Sequence, residues 1–125
     1  MAMAAVISEI VIDCADPERV AAFWAQVLGW RAQPDSDGYF WMSASGVDEA
    51  DDLKLIFVKV PEPKRVKNRV HLDVNPSGAD QADELQRLLD LGARHADIGQ
   101  EPGLSWVVLA DPEGNEFCLL RTRRD

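Results

Sequence analysis

Three residues far apart in the chain, Glu9, His71 and Glu116, are of the types that hold a divalent ion. Each falls in a short stretch where apolar and polar residues alternate, at 7–14, 70–75 and 116–120. Such alternation predicts strands whose side chains point in turn to opposite faces. In the first, Ile10, Ile12 and Cys14 form the apolar face and leave Glu9, Val11 and Asp13 on the other. In the second, Val70, Leu72 and Val74 leave His71, Asp73 and Asn75; in the third, Phe117 and Leu119 leave Glu116, Cys118 and Leu120. One imidazole and two carboxylates suit Zn²⁺, Ni²⁺, Mn²⁺ or Fe²⁺. An ion so held polarises a substrate oxygen or activates water, and Glu9 or Glu116 is then a candidate catalytic base. An open sheet would instead leave the same polar residues facing water.

The remaining candidates are substrate-binding residues. Asp13 and Asp73 share the polar face and can orient a ligand or a substrate. Trp41 and Trp106 fall on predicted strands or strand ends, where an indole can pack or stack on an aromatic or cationic ligand. Cys118 has the same parity as Glu116 and reads as a small pocket-lining side chain. Cys14 has the opposite parity, so a disulfide between the two is not expected. Two cysteines make no disulfide framework, and a reducing, cytoplasmic setting follows.

The elements that must position these residues occur twice. An apolar strand, a capped helix and a Leu-Gly ending recur about half a chain apart, at Leu28-Gly29 and at Leu91-Gly92. Asp16 and Pro17 are suited to the N-cap and the first position of the first helix, and Gly29 to its end. Val20, Phe23, Trp24, Val27 and Leu28 share one helical face, as do Leu85, Leu88 and Leu89 in the second helix. Further strands are expected at 39–44, 53–60, 106–110 and 116–121, with an acidic loop at 47–52. Residues 111–115, Asp-Pro-Glu-Gly-Asn, read as a turn in which Gly114 and Asn115 can take positive φ. Residues 61–64 read as a linker. The expectation is an α+β fold of two βαβββ modules, 1–61 and 62–125, forming a curved mixed sheet around a small-molecule pocket with the helices outside.

Composition limits the partners. The chain has 125 residues and a net charge of −9, which disfavours nucleic acid and anionic membrane, both of which need a basic face. The basic stretches 64–69 and 121–124 are too short to reverse that. No apolar run approaches the roughly 20 residues of a membrane helix, and the start at 1–6 lacks the basic flank of a signal peptide.

The segment from Ile12-Asp13-Cys14-Ala15-Asp16-Pro17-Glu18 through Leu28-Gly29-Trp30 joins two others in a recognisable pattern. These are Lys67-Asn68-Arg69-Val70-His71-Leu72-Asp73-Val74 and Asp111-Pro112-Glu113-Gly114-Asn115-Glu116-Phe117. The chain resembles the vicinal oxygen chelate superfamily, which includes glyoxalase I, bleomycin-resistance proteins and extradiol dioxygenases, and most resembles its short glyoxalase-like members. The resemblance implies metal ligands on the first and last strands of each half, at Glu9, His71 and Glu116. The fourth should lie on 53–60, where Lys54, Ile56 and Val58 have the right parity and none is a ligand; a protonated lysine has no lone pair to give. Glu9 also stands where the dioxygenase pattern has a second histidine. Two functions therefore stay open: a divalent-metal-dependent lyase or isomerase, and a metal-free protein that sequesters a drug or antibiotic in the bleomycin-resistance manner. The resemblance further implies a homodimer.

Overall fold

In the first half, Asp16 caps a twelve-residue helix because its side chain accepts the Arg19 backbone N–H at 3.2 Å, while Pro17 needs no partner at the first position. The computed structural model describes residues 3–49 and 51–125. Met1 and Ala2 of the apolar start, and Ala50 of the expected acidic loop, lie outside the described residues. No helix among the described residues is long and apolar enough to cross a membrane.

The element order is β1 (Glu9–Cys14), α1 (Pro17–Leu28), β2 (Gln33–Pro34), β3 (Phe40–Ser43), β4 (Lys54–Lys59), β5 (Leu72–Val74), α2 (Gln81–Leu91), β6 (Arg94–His95), β7 (Val107–Ala110) and β8 (Glu116–Leu119). This is βαβββ twice, an α+β fold. The chain divides into two compact units, Met1–Pro63 and Lys64–Asp125. Each has its own four-stranded mixed sheet, ordered β1-β4-β3-β2 in the first and β5-β8-β7-β6 in the second. The first and last strands of each unit run parallel, and the remaining pairs are antiparallel.

In the first unit α1 packs on β1, β3 and β4. Val20, Phe23, Trp24 and Val27 meet Met42, Leu55 and Phe57 in a closed core. Phe23 and Trp24 touch edge to face, ring centres 5.5 Å apart. These aromatics are packing residues. Gly29 ends α1 at φ 69° and Gly92 ends α2 at φ 118°, backbone that only glycine adopts without strain. In the second unit the core is Leu88, Leu109, Phe117 and Leu119.

The structure adjusts several expected boundaries. The strand expected at 70–75 is Leu72–Val74, so His71 immediately precedes β5 and Val70 is exposed. The backbone N–H of Asn68 goes to the Glu116 side chain, not to a strand neighbour, and the ladder starts only at Leu72. Asn115 does not take positive φ; Gly114 does, at 91°. The two-residue strands β2 and β6 lie at sheet edges, where Pro34 can sit because its missing N–H breaks no ladder.

Candidate functional site

Cross-strand partners point to the same face of a sheet, so the register sorts the candidates. In the first unit Glu9 pairs with Lys54, Val11 with Ile56, and Asp13 with Val58; Trp41 pairs with Ile56 as well. Glu9, Asp13 and Trp41 thus share the face opposite the Leu55–Phe57–Met42 core. Glu9 and Asp13 are exposed and Trp41 is half-buried. Lys54 is ion-paired with Asp48. That bond raises its pKa, and the charges of Asp48 and Glu9 add to the rise.

In the second unit Asp73 pairs with Cys118, and Cys118 with Val108. His71 Nε2 lies 3.2 Å from Asp73 Oδ1. The ligand atoms of His71, Asp73 and Cys118 all lie within 4.8 Å of one another. His71 and Asp73 are exposed, whereas Cys118 is buried at 6% exposure. Burial pushes the Cys118 thiol above its ordinary range, the Asp73 carboxylate adds to this, and Lys67 opposes it.

Glu116 opens β8 directly after a turn organised by Asp111. The fully buried Asp111 carboxylate accepts the N–H groups of Glu113 at 2.9 Å and Asn115 at 3.0 Å, and the Asn115 side-chain amide at 3.1 Å. The turn delivers Glu116 to two partners. Its Oε1 accepts from the Lys64 ammonium at 2.9 Å, and its Oε2 from the Asn68 N–H at 3.1 Å. Burial raises the Glu116 pKa, but Lys64 and Asn68 outweigh it and hold the carboxyl below the ordinary glutamate range. In the sequence, Lys64 and Asn68 read only as linker and basic stretch. The available signal was Glu116 itself, a carboxylate among apolar neighbours that needs a partner on folding.

The donor set can be tested against a divalent ion. Ligand atoms on a four-coordinate ion with bonds of about 2.0–2.3 Å stand about 3.3–3.8 Å apart. The His71–Asp73 contact, at 3.2 Å, is already close to that spacing, and the rest of the trio, within 4.8 Å, closes by about 1.5 Å at most. These three residues fit an ion. Glu116 as found is balanced by an ammonium, which repels a second cation.

Trp106, 42% exposed, lines an open groove of about 450 Å³ together with His95, Asp97, Gln100, Glu101 and Val108. An indole face beside carboxylates suits a cationic or aromatic ligand. Of the sequence candidates, the second unit therefore groups His71, Asp73 and Cys118 in one cluster and puts Glu116 in an ion pair and Trp106 in a groove. Glu9, Asp13 and Trp41 belong to the sheet of the first unit.

Comparison with known proteins agrees with this architecture. No curated protein matches the chain. Among solved structures, the fosfomycin resistance protein FosX from Mesorhizobium loti superposes with a TM-score of 0.65 at 18% identity, over 94% of this chain and 92% of that one. An E126Q mutant of FosX from Listeria monocytogenes, complexed with Mn(II) and 1S,2S-dihydroxypropylphosphonic acid, gives 0.65 at 13% identity, over 94% and 90%. The trypanothione-dependent glyoxalase I of Leishmania major gives 0.58 at 15% identity, over 94% and 87%. At these identities the likeness is one of fold. Residues 9–120 match the glyoxalase-like domain, and the chain belongs to that family, within the vicinal oxygen chelate superfamily.

Proposed function

We propose that this chain binds a small organic molecule and acts on it as a divalent-metal-dependent lyase or isomerase of the glyoxalase type, with His71 as the central ligand. The observation that carries the reading is the grouping of imidazole, carboxylate and thiol at His71, Asp73 and Cys118. A structural neighbour of the same fold that holds Mn(II) supports it. When bound, the ion would polarise a substrate oxygen and so acidify the adjacent C–H. Glu9 and Glu116 are the carboxylates proposed to join His71 as ligands. Glu9, exposed on β1, is the proposed base that takes the proton next to a carbonyl. Glu116 can turn to a metal or to a substrate proton only after Lys64 lets go of it. Asp13, Asp73, Trp41, Trp106 and Cys118 are the proposed substrate-binding groups. The same reading takes the protein to be a cytoplasmic homodimer, which sedimentation velocity checks.

A second reading has its own observation. The Lys64–Glu116 pair gives one proposed ligand a resident positive charge, which favours a metal-free protein that sequesters a cationic or aromatic drug against Trp106. Metal analysis of purified, untagged protein separates the two. Near-stoichiometric metal that is lost in His71→Ala supports the enzyme. Metal at background after soaking with Zn²⁺, Ni²⁺, Mn²⁺ and Fe²⁺, with ligand quenching of tryptophan fluorescence unaffected by chelator, supports sequestration.

A further inference from the structure

We infer that His71, Asp73 and Cys118 form a zinc site in which Cys118, and not Glu116, is the ligand supplied by β8. The inference rests on the metal-dependent reading above and revises its donor set: Asp73 and Cys118 take the places given there to Glu9 and Glu116, and the ion is named. Three observations carry it. Asp73 and Cys118 are register partners on the parallel β5–β8 pair, so the backbone ladder fixes their side chains on one face. His71, next to that ladder, already brings Nε2 to 3.2 Å from Asp73. Both Glu116 oxygens are engaged elsewhere, by Lys64 and by the Asn68 N–H.

The chemistry of the donors selects the ion. A thiolate with an imidazole and one carboxylate is softer than a set of carboxylates and imidazole alone, and it favours Zn²⁺ over Mn²⁺ or Mg²⁺. Cys118 is buried while His71 and Asp73 are exposed, so the thiol anchors the ion from the sheet and the other two close over it from the solvent side. Three protein ligands leave a fourth position for water or substrate, the pattern of zinc sites that do chemistry. On binding, the Cys118 S–H bond breaks, its proton leaves to solvent and the sulfur electron pair goes to the metal, with no change of oxidation state.

Cobalt(II), titrated into the full-length protein freed of metal with chelator, tests the assignment. The expected result is one bound cobalt per chain with a thiolate-to-cobalt charge-transfer band in the near ultraviolet, bleached by Zn²⁺. The band disappears in Cys118→Ser and His71→Ala and persists in Glu116→Gln. Cobalt bound without the band, or a band that survives in Cys118→Ser, overturns the donor assignment and leaves the metal-dependent reading standing. No cobalt bound in equilibrium dialysis overturns both. Should Cys118→Ser fail to fold, Asp73→Asn, at an exposed position, carries the test: it must weaken cobalt binding, and unchanged binding rejects the site.

Discussion

At the scale of single residues, the contact with the clearest energetic consequence is one between Lys64 and Glu116. Lys64 follows two prolines in a stretch that reads as a linker, yet its ammonium meets Glu116 with the two side chains only 21% and 11% exposed. A pair so placed is screened by water far less than a surface ion pair. Removing one member leaves the other poorly compensated, the costly half of the experiment. Lys64→Met should destabilise the protein by about 1–2 kcal/mol. The double variant with Glu116→Gln should recover part of the loss, a coupling that urea unfolding of the single and double variants measures. The pair also has a pH signature. The Glu116 carboxyl is held below its ordinary range in the folded protein, so its contribution is present above that range and is lost as pH falls through the lower, folded value. In Lys64→Met the fall in stability on acidification should be shallower. An unchanged acid limb would show that Lys64 does not set the titration of Glu116.

At the scale of elements, the turn at 111–115 decides where β8 begins and therefore where Glu116 points. Asp111 is fully buried and satisfies two backbone N–H groups and an amide. Asp111→Ala would strand those donors and should cost about 2–3 kcal/mol in denaturant unfolding, with the Glu116–Lys64 pair loosened as well. A loss below about 0.5 kcal/mol, the scale of ordinary surface substitutions, would mean the turn holds without its aspartate. This turn, like the helix cap at Asp16, was legible in the sequence because each is a local contract: a side chain bonds backbone a few residues on. The alternation in β5 and β8 was legible for the same reason, and it selected Asp73 and Cys118 for one face. What depends on distant pairing was not legible. The edge strands β2 and β6 are two residues long and carry no periodic signal. Lys64 and Glu116 are 52 positions apart, and nothing local in either segment names the other. Nor could parity alone tell that Glu116 would be occupied by a lysine while the thiol beside Asp73 stayed in reach of His71.

At the scale of the whole molecule, two features compete to explain any response to divalent cations. The net charge of −9 draws every cation toward the surface, with an effect that depends on ionic charge and falls with salt. A site of three donors depends on ion identity and persists in salt. All three donors lie within one unit, Lys64–Asp125, so bound ion acts by linkage on the unfolding of that unit. Zn²⁺ at about a hundred times its dissociation constant should add about 2.7 kcal/mol, which raises the melting temperature by about 10 °C for an unfolding reaction that involves the whole chain. Were the second unit to melt alone, the smaller unfolding entropy would make its rise about twice as large, and a first transition that stayed in place would mark the two units as separately cooperative. Calcium carries the same charge but prefers an all-oxygen shell, so at equal concentration it should leave the melt nearly unmoved. Calorimetry with Zn²⁺, with Ca²⁺ and with Zn²⁺ on Cys118→Ser therefore separates a field from a site. Equal shifts from the two ions, or a full zinc shift in the variant, would assign the response to the acidic surface and remove the thiol from the account.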